Sequence, residues 1–428
     1  MGSLLVNFFL YFLTLLYFCS KDRRMSLRVL IMVYFSVSAF ASYYCMHFEM
    51  LAEYTIYRYK ENSITPFFIN YICILSLTTL LSDFRTNNLI NNKIQSIVKN
   101  NTVRNLELVI IIVNTIYIIM MYLYSQILLD IGFKEVYDMT HEDRVVFTFS
   151  NSILNVLFYR SKDIIQFVYP FFLLFQFAKL SFGIEKKKTL ILIFAFILPE
   201  LTRNMLLSNR GGIVFMLMNF MFFISLFWGK FDKYVRKTFI RIGVVILSLS
   251  IFYFYMISLS RSEDDVDRAI DNYIIGYFGQ TYCNLGWKVW DVNGNFIGGE
   301  RKFPELFKLL GLYKAPNENG LLDINYYYQN TSGFPIILFK SFWGDLYCEF
   351  GLYLSLLFVL AYRYLIVFMK NVLKDSFLLL VIFYMHFSLL TFGLFDAKLD
   401  ETFLMRLIIV FITCYFFSNI STKNGKTA

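Results

Sequence analysis

The chain has 428 residues, 57% of them hydrophobic and 20% aromatic, with a formal net charge of +9. A water-soluble domain of this length cannot carry so much apolar surface, and a mean hydropathy of +0.55 belongs to a chain that faces lipid. The basic residues cluster in short linkers between apolar runs, where membrane insertion places them, so nucleic acid is excluded as a partner.

In chain order, Leu4 to Cys19 is the first apolar run, stopped by Lys21, Asp22, Arg23 and Arg24. It lacks a basic leader and a small-residue cleavage site, so it reads as a retained helix with the amino end outside. Leu30 to Met46, Pro66 to Ser82 and Leu108 to Leu129 follow as spans. The stretch of about 145–158, bounded by Arg160 and Asp163, reads as a separate helix at the membrane interface. Ile164 to Phe182 and Leu190 to Leu207 come next, then a five-residue hairpin, Ser208 to Gly212. Ile213 to Trp228 and Val244 to Leu259 complete the first block, residues 1–259.

Residues 260–345 form a long polar interval in a chain of otherwise short connectors, and a connection of that length carries its own short helices and function. The last block, 346–428, holds the spans Leu352 to Phe368, Phe377 to Leu394 and Phe403 to Phe417. The sequence thus predicts an all-α polytopic transmembrane bundle of about eleven spans. Basic residues outnumber acidic ones in the linkers assigned inside, which puts the carboxyl end in the cytoplasm and the long loop outside.

Candidate site residues come from the charges that such a bundle should not hold. Arg203 lies within an apolar run with Glu200 one turn before it, and Arg210 stands seven residues on, on the same helical face. A mutually satisfied structural pair of Glu200 and Arg203 is the alternative to a site. Gly211 and Gly212 let backbone approach an anionic ligand closely. Arg261, Arg268 and Arg301 add cations on the same side, and guanidinium forks suit phosphate oxygens. At the far end of the interval, Asp345 and Glu349 are one helical turn apart and are candidates for a general base. Trp343 and Tyr347 offer flat faces for sugar, or serve as interfacial anchors. His47, His141 and His386 are scattered and the six cysteines show no ligand spacing, so neither metal nor cofactor is expected. A disulfide between Cys283 and Cys348 is not expected either.

The Ser208–Asn209–Arg210–Gly211–Gly212 turn between two spans, the long outside loop, and the run from Gly333-Phe334 through Gly344-Asp345-Leu346-Tyr347 to Phe350-Gly351 resemble the Wzy-type O-antigen polymerases. The resemblance implies an integral-membrane, GT-C-like glycosyltransferase that needs no metal. It also implies a multi-pass protein of the bacterial inner membrane, active at the periplasmic face. Such an enzyme moves a growing glycan from undecaprenyl pyrophosphate onto the nonreducing end of an incoming lipid-linked oligosaccharide repeat unit. Its partners are that substrate, membrane lipid and a chain-length regulator protein. In such enzymes arginines hold the pyrophosphate, and Arg210 matches the motif turn best, with Arg203, Arg261, Arg268 and Arg301 completing the set. O-antigen ligases are similar but use a histidine in the large loop, and this loop has none. A flippase of lipid-linked oligosaccharide and an accessory scaffold are the readings from other classes; transporters show paired repeats, which this chain lacks.

Overall fold

In the computed structural model the described residues are 2–22, 26–50, 63–83, 101–129, 149–207, 210–261, 275–316, 321–373 and 379–424. Every regular element among them is helical. In order they are α1 (Gly2–Lys21), α2 (Leu27–His47), α3 (Thr65–Thr78), α4 (Asn101–Leu129), α5 (Ser152–Ser181), α6 (Lys186–Leu206), α7 (Arg210–Phe227), α8 (Lys233–Arg261), α9 (Gly276–Cys283), α10 (Pro304–Leu309), α11 (Leu321–Ser332), α12 (Phe342–Leu373), α13 (Leu379–Phe392) and α14 (Glu401–Asn424). Among the described residues eight helices are long and apolar enough to cross a membrane: α1, α2, α4 to α8 and α12. This is a multi-pass membrane protein. The other three expected spans coincide with α3, α13 and α14, of which α3 and α13 have only 14 residues each.

Two expected boundaries differ. The interfacial helix and the span after it are one helix, α5, whose first residue is Ser152; residues 145–148 lie outside the described residues. Charge alone does not break a helix: Arg160 and Asp163 are exposed, and no glycine or proline interrupts the chain until Pro170. The helix is capped by Asn151, whose side chain accepts from the Ile153 amide at 2.8 Å. The expected hairpin is shorter than five residues, because Arg210, Gly211 and Gly212 form the first turn of α7.

The chain forms two compact units, Met1–Phe84 with Ile270–Ala428, and Arg85–Ala269. The division falls at 84–85 and 269–270, whereas the sequence blocks meet at 259–260 and 345–346. In the second unit, α4 to α8 pack around phenylalanines. Phe177 stacks on Phe239 at 5.5 Å and on Phe223 at 5.6 Å, and Phe172 on Phe196 at 4.2 Å. Among the described residues a buried ion pair crosses it. Lys179 Nζ donates to Glu107 at 2.9 and 3.2 Å, and Gln176 donates to the same carboxylate at 2.7 Å.

The first unit takes in part of the polar interval. Residues 276–290, α9 and the π-helical turn Asn284–Trp290 after it, are buried against α2 and α3. Ser38 Oγ donates to the Phe278 carbonyl at 2.7 Å, and Ser42 Oγ to that of Gly279. A β-carbon on Gly279 would stand 2.8 Å from the Ala41 carbonyl oxygen, so only glycine allows this approach. Tyr282, Leu285, Trp287 and Val289 point into the resulting core. Deeper in the unit, His386 Nε2 donates to the Leu77 carbonyl at 3.0 Å. The tautomer is thereby fixed, and Nδ1 is left to accept from the Tyr362 hydroxyl at 3.1 Å.

Helix α12 changes direction at Gly351, which has φ 70° and ψ −171°. Its head, Phe342 to Phe350, is thus oriented separately from the apolar shaft. A side chain on Gly351 would meet the Phe296 ring at 3.0 Å. Ser341, just before the helix, also has a positive φ of 70°, an uncommon and strained conformation for a residue with a side chain.

Candidate functional site

The site forms where the head of α12 meets the segment before α10. Asp345 and Glu349 lie one turn apart on that head, and both side chains are fully buried. Arg301 reaches both: Nη2 donates to Asp345 Oδ1 at 2.6 Å and Nε donates to Glu349 Oε1. Lys302 donates to Asp345 Oδ2, and Lys340 Nζ lies 3.2 Å from Asp345 Oδ1. Lys340 also reaches Asp396 Oδ1 at 3.3 Å. Three cations and two carboxylates are thus withdrawn from water together, with Asp396 partly exposed at the margin. Such a cluster persists only because each charge finds a partner.

The α13–α14 connection closes the site. The Lys340 amide donates to Phe395 O at 3.0 Å, the Glu401 amide to Lys302 O at 2.9 Å, and Lys302 Nζ to Ala397 O. On the opposite side Ile297 and Gly298 donate to the carbonyls of Cys348 and Glu349 at 3.1 and 2.8 Å. Backbone as well as charge therefore fixes the 295–303 segment on α12.

The two carboxylates are not equivalent. Both oxygens of Asp345 are engaged by cations. Among the described residues Glu349 uses only Oε1, and its buried Oε2 has no hydrogen-bond partner. Arg301 spends Nε and Nη2, its Nη1 makes no hydrogen bond among the described residues, and its side chain is 15% exposed. The groups with spare capacity are thus an acceptor on Glu349 and a donor on Arg301, the most exposed of the three cations. Burial alone would lower the pKa of Arg301, but Asp345 and Glu349 outweigh it and hold the guanidinium above its ordinary value. The Lys340 ammonium is likewise raised: burial opposes the charge, while Asp396 and Asp345 favour it more strongly.

The remaining expected site residues fall elsewhere. Trp343 is fully buried, with its indole N–H donating to Ser355 Oγ at 3.0 Å and its amide to Asn70 Oδ1 at 3.1 Å. It is a core residue and has no face for sugar. Tyr347 is half-buried among Trp343, Trp290 and Phe296, with ring centroids 5.0 to 5.5 Å away. In the second unit Arg203 and Glu200 satisfy one another: Nη2 meets Oε1 at 2.5 Å, and Tyr117 and Gln166 donate to the same carboxylate. That is the arrangement of a structural pair. The side chains of Arg210 and Arg261, and all of Arg268, lie outside the described residues. Cys283 and Cys348 are both buried.

Lys302 and Lys340 are the members that sequence reasoning missed. Lys340 did carry a signal, as the one charge in the apolar run from Phe334 to Trp343. Lys302 follows Arg301 directly and reads as one more loop charge. No family model, curated protein or solved structure matches this chain.

Proposed function

We propose that the protein polymerises undecaprenyl-pyrophosphate-linked oligosaccharide repeat units at the periplasmic face of a bacterial inner membrane, acting as a metal-independent glycosyltransferase. The observation that carries the reading is the meeting of Arg301 with Asp345 and Glu349 at the head of α12, where a carboxylate oxygen and a guanidinium nitrogen have no partner among the described residues. In this reaction an acceptor hydroxyl attacks the anomeric carbon of the donor. The new C–O bond forms as the bond to pyrophosphate breaks, and the electron pair leaves with undecaprenyl pyrophosphate. The hydroxyl proton passes to Glu349 Oε2, which acts as general base. Arg301 presents Nη1 to the departing diphosphate, and fixed cations in a site shielded from water stabilise developing charge without reorganising. Asp345 orients Arg301, Lys302 and Lys340 and takes no proton.

Arg203 is held by Glu200, and the side chains of Arg210 and Arg261 and all of Arg268 lie outside the described residues, so the proposal rests on Arg301. The test is purified protein in liposomes supplied with lipid-linked repeat units. A product ladder longer than one repeat supports polymerisation, whereas passage of the lipid across the membrane without growth makes the protein a transporter. Neither activity, with folded protein, removes the proposal.

A further inference from the structure

Helix α10 and the turn after it lie in the interval read from sequence as an aqueous loop, yet their leucines are bare. Leu306 is 46% exposed, Leu309 83%, Leu310 59% and Leu312 54%. Leu306, Leu309 and Leu310 share one helical face by their spacing, while Glu305 and Lys308 occupy the other, paired at 2.8 Å. Gly311 ends the helix in a left-handed conformation, φ 67°. The Leu312 amide returns to the Phe307 carbonyl at 2.9 Å, and Leu312 adds to the apolar patch.

The element is fixed against a membrane-spanning surface. Phe303, the residue before α10, meets Phe358 at 5.8 Å and Phe350 at 6.5 Å. Phe358 lies seven residues past the Gly351 kink, about 10 Å along the apolar shaft of α12. The shaft around it carries a row of outward side chains, Leu354 at 59%, Leu357 at 61% and Leu360 at 59% exposed. On the other side the α10 amides of Glu305 and Leu306 donate to Glu401 Oε2, at the start of α14. The leucine patch therefore begins three residues from a ring seated on the apolar shaft of α12, where Leu354, one turn before Phe358, is open on the same side.

We propose that α10 and Leu312 are inserted in the adjacent lipid leaflet, the leucines among acyl chains and Glu305 and Lys308 toward the headgroups, as an interfacial anchor. The occupant is fluid lipid and no protein partner. On the function proposed above, this holds Arg301 at headgroup level, where a lipid-borne diphosphate arrives by lateral diffusion; the insertion itself does not depend on that function.

The test needs no substrate. A nitroxide is placed at Leu309→Cys, and separately at Leu310→Cys, in a Cys19→Ala background reconstituted in lipid nanodiscs, with Leu357→Cys and Lys314→Cys as lipid-facing and aqueous references. Both leucine sites are exposed, so labelling leaves packing intact. Power saturation is expected to give a ratio of oxygen to nickel-chelate collisions several-fold above that at Lys314 and close to that at Leu357. A ratio matching Lys314 would overturn insertion. Shielding of both sites from oxygen and nickel alike would overturn it too, since a protein surface would then cover the patch. Because polymerisation is assayed separately, either idea can fail while the other stands.

Discussion

At the scale of single residues, two carboxylates that sequence treats alike differ in their partners. Asp345 is surrounded by Arg301, Lys302 and Lys340. Asp345→Asn removes the charge that balances them, and breaking a buried ion pair costs about 3–5 kcal/mol. The expected outcome is a large fall in the thermal unfolding midpoint in detergent. Glu349→Gln breaks one buried pair where Asp345→Asn breaks contacts to three cations, so its unfolding midpoint should fall less, while chain growth by the folded variant drops about 100- to 10,000-fold, the usual contribution of a general base. Lys340 supplies a test in pH. Its pKa is raised in the folded state, so its contribution is complete below the unfolded value of about 10.4 and is lost as pH rises through the folded value. Wild-type protein should hold its unfolding midpoint up to about pH 10 and decline above it. Lys340→Met should start lower and lack that part of the decline.

At the scale of elements, the site depends on how the head of α12 departs from its shaft. Gly351 has φ 70° and ψ −171°, a region essentially closed to residues with a β-carbon, and the Phe296 ring blocks that position as well. Gly351→Ala should cost about 1–3 kcal/mol from backbone strain of this kind, read as a lower unfolding midpoint, and should slow chain growth by moving Glu349 against Arg301. Sequence showed Asp345 and Glu349 on one helical face because period alone fixes it. It also gave the interval short helices without placing any of them, and it gave no sign of the attachment of α10 to α14, since that hangs on Glu401 accepting two backbone amides. The continuous α5 illustrates the converse error. Arg160, Lys162 and Asp163 read as a boundary between surface and span, while the backbone had no reason to stop there.

For the whole molecule, the membrane class was legible from hydropathy, because each apolar run must bury its backbone hydrogen bonds in a helix. The polar interval stood out for the same reason. Its fold was less legible: residues 276–290 carry one basic and no acidic side chain, yet nothing local says that Gly279 meets Ala41 or that Trp287 is buried. The expected set of five arginines was legible only as a list of charges. The pair of Arg203 with Glu200, one turn apart, was legible as an alternative, whereas the pairing of Arg301 with the carboxylates of α12, more than 40 residues away, depends on three-dimensional packing. The central claim is that Arg301 and Glu349 together carry glycosyl transfer. The most direct measurement is gel analysis of products made by wild-type and Glu349→Gln protein, side by side in liposomes, from the same lipid-linked repeat units. A wild-type ladder with the folded variant held at one repeat is the predicted result, and equal ladders from both proteins would contradict the account.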